Sequence, residues 1–431
     1  MEHILINGKI PLKGHIKVQG GKNAVLPILA ASILTKEKVR INNCPDIDDV
    51  RHTIKLLEML GCKVFFINGT VDIYPEKVED TRVSGEHTDK TRSSIVFLGA
   101  MIGRLKKTVI TKPGGCKIGE RPLDIHISSI RKLNVTIFEK YGDIIAYTDK
   151  IKGADIKLTF PSVGATENII LTAVLAEGIT TIKNPAREPE ILELADFINS
   201  MGGKIKGAGT DTIIIEGVKE LRGTEYSVGG DRIVAATYMG AVAVAGGKVT
   251  LSGIRTKDMK CITDTFRKTG MKVKVTEHSI ICRRKIKKFR LKNVNYIETE
   301  PYPGFPTDVQ PVMGAVMSYG MGISKIKENI FENRFMYVNE LMKMGADIVL
   351  KKENAALIYG KEKLYGTKVK AMDLRGGAAL IVAALGAEGE TCIEDIHYIK
   401  RGYENIVRDL QLLGADIREE ITGEDEKEDG R

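Results

Sequence analysis

Met59–Val64, MLGCKV, closes an apolar helical run on a glycine and opens a strand, and the same turn returns five more times. It reads KLNVTI at Lys132–Ile137, SMGGKI at Ser200–Ile205, KTGMKV at Lys268–Val273, KMGADI at Lys343–Ile348 and LLGADI at Leu412–Ile417. The pivots Gly61, Asn134, Gly202, Gly270, Gly345 and Gly414 are the residue types that take a left-handed conformation where a helix ends. They recur every 68 to 75 residues, so the chain is built from six copies of one unit.

Upstream of each pivot runs a second signature, a small-residue-rich apolar helix leading into a short strand. These runs begin at Lys22, Thr91, Ala165, Asp231, Thr307 and Asp373. They are apolar nearly all round, the pattern of a buried helix, and their Ala and Gly permit close packing. Each unit therefore reads as buried helix, strand, second helix (Ile47–Leu60 in the first), strand, turn, strand. The spacing is too tight for six domains. The expected fold is α/β (α+β): two domains of three units each, with the buried helices bundled inside and the sheets outside. The domain boundary falls at Ser227-Val228-Gly229-Gly230. The leading strand Ile4 to Gln19 has no unit of its own and is expected to complete the second domain. That gives one domain over 21–229, a second over 1–20 plus 230–420, and a frayed acidic tail over 421–431. A hinged cleft lies between the two domains.

Composition narrows the function. The chain has 431 residues, 43% hydrophobic and 28% charged, the make-up of a globular protein. It has no apolar run long enough to span a bilayer and no signal peptide at MEHILINGKI, so a cytoplasmic location is expected. Six scattered cysteines without CxxC or ligand spacing argue against disulfides and zinc. No metal and no cofactor are expected. The net charge of +9 fits an anionic small-molecule substrate. The densest basic run, Arg283–Lys292, reads as a solvated strand or sheet edge, so neither nucleic acid nor a membrane is expected as a partner.

Charged and polar residues sit at the starts of the buried helices: Lys22-Asn23, Arg92-Ser93-Ser94, Ser162-Val163-Gly164, Asp231-Arg232, Thr307-Asp308, and Asp373 with Arg375. Capping accounts for Ser, Thr and Asp there. It does not account for Lys22, Arg92, Arg232 and Arg375, which oppose the helix dipole unless an anion is bound. With Arg121 and Arg401 flanking, these residues imply a cleft for a multiply anionic ligand. The loop KPGGCKIGERPLDI, Lys112–Ile125, holds Cys116 between glycines and cations. Its local residues leave two readings, a chance cysteine or a reactive thiol.

Seven ordered motifs resolve the choice. They are GGKNAVLPILAAS at Gly20–Ser32, PGGCKIGERPLDIHI at Pro113–Ile127, AREPEI at Ala186–Ile191, YPGFPTDVQ at Tyr302–Gln310, FENRF at Phe331–Phe335, DLRGGAAL at Asp373–Leu380 and RGYE at Arg401–Glu404. On them the chain resembles the UDP-N-acetylglucosamine enolpyruvyl (1-carboxyvinyl) transferases of bacterial peptidoglycan precursor synthesis. The resemblance implies that family's fold, a two-domain inside-out α/β barrel of six βαβαββ repeats, three per domain with pseudo-threefold symmetry, which agrees with the repeat count. The resemblance implies transfer of the enolpyruvyl group of phosphoenolpyruvate to the 3-hydroxyl of UDP-N-acetylglucosamine, releasing phosphate. It assigns proton donation to Cys116, which can also carry a covalent phosphoenolpyruvate adduct, a 2-(S-cysteinyl)pyruvic acid O-phosphothioketal, and is the target of fosfomycin. It assigns acceptance of the hydroxyl proton to Asp308. Lys22, Arg92, Arg121 and Arg401, with Arg375 added, become clamps for phosphate and carboxylate, Lys22 also being placed among the catalytic residues. Asn23 positions substrate, and Ile330 touches the UDP-sugar. Arg121, Pro122, Leu123, Asp124 and Ile125, with Ser162, Val163 and Gly164, supply the nucleotide-binding backbone. Three positions depart from the family's pattern: Phe160 where lysine is common, Gly21 where alanine is, and Ser93 in a usual Arg-Ala-Ser. Two alternatives stand beside this reading. The sister 5-enolpyruvylshikimate-3-phosphate synthases share the architecture but lack the loop cysteine, and a non-catalytic UDP-sugar-binding regulator would share the fold.

Overall fold

In the computed structural model, residues 2–83, 92–112, 118–119, 122–285 and 290–421 are described, with Arg92 and Ser93 as backbone only. All six pivots have positive φ, from 64° at Asn134 to 99° at Gly61. Each ends a helix and starts a strand, as the repeated turn requires. In the first unit a buried helix, Lys22–Ala31, leads to a strand, Val39–Asn42, a second helix, Asp48–Met59, and a hairpin of Lys63–Ile67 and Thr70–Tyr74. The described residues form six four-stranded sheets. In the first, Thr224–Ser227 runs parallel to Val39–Asn42, and the hairpin adds antiparallel beyond it.

The N-terminal segment differs from the single leading strand expected. It is two strands in two sheets. Leu12–Lys17 runs parallel to Gly247–Ser252 in the fourth unit. Glu2–Asn7 fills the place of the missing hairpin strand in the sixth, between Glu390–Glu394 and Asp416–Ile421. Among the described residues the last unit has one strand, Asp416–Ile421, after its second helix, and the chain start takes the place beside it. The chain then crosses between the two halves twice, at adjacent points. Gly20 and Gly230 form an antiparallel bridge, with Gly21 N–H donating to Gly229 O at 2.8 Å and Asp231 N–H to Gln19 O at 2.8 Å. A Cβ on Gly20 would lie 1.9 Å from Asn43 O, and one on Gly230 2.3 Å from Gly253 O, so only glycine lets the two crossings run side by side.

Two hydrophobic cores result. One gathers side chains from Ala24 to Val228 and the other those from Ile4 to Val18 together with Ile233 to Ile417. Inner helices fill both: Phe97–Leu105 lies against Val163–Ala173, where Gly99 and Gly103 meet the backbone carbonyls of Asn168 and Leu171. The basic run is corrected. Ser279–Arg284 is an inner strand of its sheet, not an edge, and residues 286–289 and the tail 422–431 lie outside the described residues. Among the described residues no helix is long and apolar enough to cross a membrane.

Candidate functional site

The inner helices of both halves start at one junction. Asp231 caps the Arg232–Ala245 helix, accepting from Ile233 and Val234 N–H, and its other oxygen accepts Lys22 N–H at 3.1 Å, so one carboxylate joins two helix starts. Asp373 caps Leu374–Gly386 through Arg375 and Gly376 N–H, and Ser162 caps Val163–Ala173. Capping thus explains Ser162, Asp231 and Asp373, but not Asp308.

The cations gather around two carboxylates. Lys22 Nζ lies 2.7 Å from Asp49, which also accepts a forked pair from Arg401 at 2.9 and 3.1 Å. Asp49 is nearly buried. Burial works to raise its carboxyl, but Lys22 and Arg401 outweigh that and hold it below the usual carboxylate range. Burial pushes the Lys22 ammonium down, Arg401 and Arg375 add to this, and Asp49 opposes it. Asp308, just before the Gln310–Met317 helix, is gripped by Arg334 at 2.5 Å and by Arg375 at 3.0 and 3.2 Å. Burial would raise the Asp308 carboxyl, yet Arg375, Arg334 and Lys22 hold it far below its ordinary value. Arg375 is buried, and its Nη1 has no hydrogen-bond partner among the described residues. Such a donor is costly unless a ligand oxygen meets it.

Arg232 does not join this group as a clamp. It turns to Glu190, at 3.3 and 3.4 Å, because the AREPEI segment brings a set of buried carboxylates beside it. Glu188 accepts Tyr302 N–H from the other half at 3.2 Å, and Glu193 accepts Gly229 N–H at 3.0 Å. Burial, with Glu190 and Glu188 adding, pushes Glu167 well above the usual carboxylate range; burial alone leads for Glu193, raised to about 6.

Cys116 and Arg121 lie outside the described residues, as does the Arg92 side chain. The loop's described part crosses the cleft: Ile118 is buried, and its carbonyl accepts Asn333 N–H at 2.9 Å. Pro122 and Leu123 lead into the helix Asp124–Arg131, whose buried His126 hydrogen-bonds Asn168 at 3.0 Å and lies against Gly164. That contact joins the 122–125 and 162–164 segments and gives His126 a structural role. An open cleft of about 570 Å³, lined by Pro161, Arg187 and Asp211 on one side and Tyr302 on the other, adjoins Ser162. Asn23 lines a small cavity with Glu190 and Arg232. Ile330 N–H donates to Glu328. The remaining cysteines do not compete for a chemical role: Cys44, Cys62 and Cys282 are buried, and burial pushes Cys62 and Cys282 up to about 12.

The sequence reading missed Arg334, Asp49, Glu188 and Glu190 as members of this junction. Arg334 stood in FENRF and the two glutamates in AREPEI, stretches noticed only as family motifs. Asp49 stood in the DIDDV start of a second helix, where an acid reads as a cap.

The sequence profile of the EPSP synthase (3-phosphoshikimate 1-carboxyvinyltransferase) family matches residues 6–410. A UDP-N-acetylglucosamine 1-carboxyvinyltransferase 2 of Caldanaerobacter subterraneus subsp. tengcongensis is 46% identical over 414 residues, covering 96% of this chain and 98% of the relative. A UDP-N-acetylglucosamine 1-carboxyvinyltransferase 1 of Carboxydothermus hydrogenoformans is 43% identical over 432 residues, covering 99% and 100%. Among solved structures, the enolpyruvyl transferase NikO from Streptomyces tendae superposes with a TM-score of 0.87 at 22% identity, covering 97% of this chain and 98% of that one. An EPSP synthase from Acinetobacter baumannii gives 0.74 at 18%, covering 97% and 100%. The two structures speak for the fold.

Proposed function

The chain belongs to the EPSP synthase family of enolpyruvyl (1-carboxyvinyl) transferases, and we propose that it transfers the enolpyruvyl group of phosphoenolpyruvate to the 3-hydroxyl of UDP-N-acetylglucosamine, a step of peptidoglycan precursor synthesis. The relatives at 40 to 46% identity carry that activity in their names. The observation that carries the reading to this chain is the junction of Lys22, Arg401, Arg375 and Arg334 around Asp49 and Asp308, with a buried guanidinium nitrogen left unmatched. Planar guanidinium forks suit both the phosphate and the carboxylate of phosphoenolpyruvate.

In the reaction the sugar O3–H adds across the enol double bond. O3 bonds to C2 of phosphoenolpyruvate, its proton goes to a base, and the methylene carbon gains a proton. Loss of a proton from that carbon then expels phosphate from C2 and restores the double bond. Asp308 is the base or hydrogen-bond acceptor at O3. While Arg334 and Arg375 both hold it, Asp308 is a weak base; a ligand anion that draws Arg375 away strengthens it. Cys116 delivers the methylene proton from the loop that Ile118 ties to Asn333. Lys22, Arg401 and Arg375, with Arg92 and Arg121, hold phosphate and carboxylate. Asn23, Ile330 and the 121–125 and 162–164 segments hold the nucleotide sugar. The two bodies that close on it are 21–229 and 1–20 with 230–420, a division that the separation of the hydrophobic cores supports.

Phosphate release by the purified protein tests this. Release is expected only when UDP-N-acetylglucosamine and phosphoenolpyruvate are both present. Release with shikimate 3-phosphate in place of the UDP-sugar would transfer the chain to the sister activity, and no release with either would make it a binding protein. Cys116→Ser is expected to abolish turnover. Cys116→Asp, still a proton donor, is expected to keep it and to lose sensitivity to alkylating epoxides such as fosfomycin.

A further inference from the structure

Six copies of one unit present six outward sheet faces, and one of them breaks a rule the others keep. Five sheets tie strand cations to carboxylates on another strand of the same sheet: Arg40 to Asp72, Arg82 to Asp143, Lys204 to Glu216, Lys327 to Glu298 and Lys368 to Glu394. The sheet of Leu12–Lys17, Gly247–Ser252, Lys272–Val275 and Ser279–Arg284 contains no Asp or Glu in any of its four strands. Arg284 turns inward to the carbonyls of Ala243 and Val244. Lys13, Lys17, Lys248, Lys272, Lys274 and Arg283 are all exposed, and among the described residues none pairs with a carboxylate.

The register lines them up. Lys272 is opposite Arg283, Arg283 opposite Lys248 and Lys248 opposite Lys13, a row of four cations across the whole sheet. Like charges directly opposite one another are destabilising, so the row costs stability unless something anionic covers it. With strands about 4.8 Å apart the row is about 14 Å long, and Lys13 to Lys17 adds about 13 Å in the other direction. The nearest carboxylate in the hairpin, Glu277, is at its tip beside His278.

We propose that this face docks peripherally on an anionic lipid bilayer through its headgroup phosphates, which departs from the sequence expectation of no membrane partner. The cations are spread over two dimensions of a sheet face, and an extended anionic plane meets all six at once, whereas a nucleic-acid duplex is a cylinder that meets one row. None of the four strands carries Phe, Tyr or Trp on which a base could stack, and the one imidazole, His15, is hydrogen-bonded to Ser252 at 2.7 Å. Attraction to an anionic leaflet is about 1 kcal/mol per Lys or Arg near the surface, about fivefold in affinity for each.

The test is sedimentation of the full chain with mixed phosphatidylcholine–phosphatidylglycerol vesicles and with pure phosphatidylcholine vesicles. Binding is expected only to the mixed vesicles, and to fall as salt rises. The variant K13E/K248E/R283E is expected to lose at least about 100-fold in affinity, from three losses of about fivefold each, with enolpyruvyl transfer in solution unchanged. The variant K157E/K206E/K219E carries the same net charge on another face and is expected to bind nearly as well as the parent. Equal loss in both variants would reduce the effect to net charge and overturn the proposal, as would no binding to the mixed vesicles. Displacement from the vesicles by a duplex oligonucleotide or by polyglutamate at matched anion concentration would also overturn it, assigning the face to nucleic acid or to an acidic protein segment.

Discussion

Asp308 shows what a single residue's surroundings can and cannot be read from a linear sequence. Its place at a helix start in GFPTD marked it as a candidate, but its state is set by Arg334 and Arg375, 26 and 67 residues further along. Charges brought together by tertiary packing leave no local pattern, so Arg334 went unnoticed although it is the largest fully buried side chain. The same holds for Asp49, whose partners Lys22 and Arg401 come from the two ends of the chain. Two outcomes follow. Asp308→Asn removes the carboxylate base while keeping an acceptor oxygen, and is expected to lower kcat by about 100-fold or more, the range of general acid–base groups, measured as phosphate release at saturating substrates. Arg334→Lys keeps a charge but loses the fork. The Asp308 carboxyl then rises toward its ordinary value, and the acid limb of the kcat–pH profile moves to higher pH. An unmoved limb would mean that another group sets it.

At the scale of elements, the turn was the most legible feature. A helix C-terminus entering a strand needs a left-handed residue, that need is local, and all six pivots satisfy it. The two N-terminal strands were not legible as such, because which sheet a strand joins depends on where a distant unit lacks one. The helix Pro189–Ser200 adds a chemical point. Its first turns carry Glu190 and Glu193 into a buried setting, and the Glu193 pKa is raised from 4.5 to about 6. A raised folded-state pKa means the native chain holds that proton more tightly than the unfolded one. The resulting stability is fully present below the unfolded value and is lost as pH rises through about 6. The difference is at most about 2 kcal/mol. Glu193→Gln cannot titrate, so its thermal midpoint is expected to vary less between pH 4.5 and 6.5 than that of the parent. Parallel curves for the two proteins would place the titration elsewhere.

For the whole molecule, the interest lies in what joins two bodies with separate cores. Lys22 to Asp231, Arg401 to Asp49, Ile118 to Asn333, Glu188 to Tyr302 and Glu190 to Arg232 all cross between them. The first three involve segments that we propose bind the substrates, so a substrate would compete with or reinforce them. The Glu190–Arg232 contact is different: Glu190 is buried and Arg232 largely so, and Arg232 offsets the charges of Glu190 and Glu188 together. Removing one partner of a buried pair leaves an uncompensated charge and costs about 3–5 kcal/mol, whereas removing both can be nearly neutral. Arg232→Met is therefore expected to lower the unfolding midpoint sharply and to widen the ligand-free particle in small-angle scattering, as the carboxylate left without its counter-charge takes up water and loosens the joint. Glu190→Gln in the same chain is expected to restore most of both. Additive losses in the double variant would mean that the two residues act separately, and the joint would then be held by the Glu188–Tyr302 backbone contact instead.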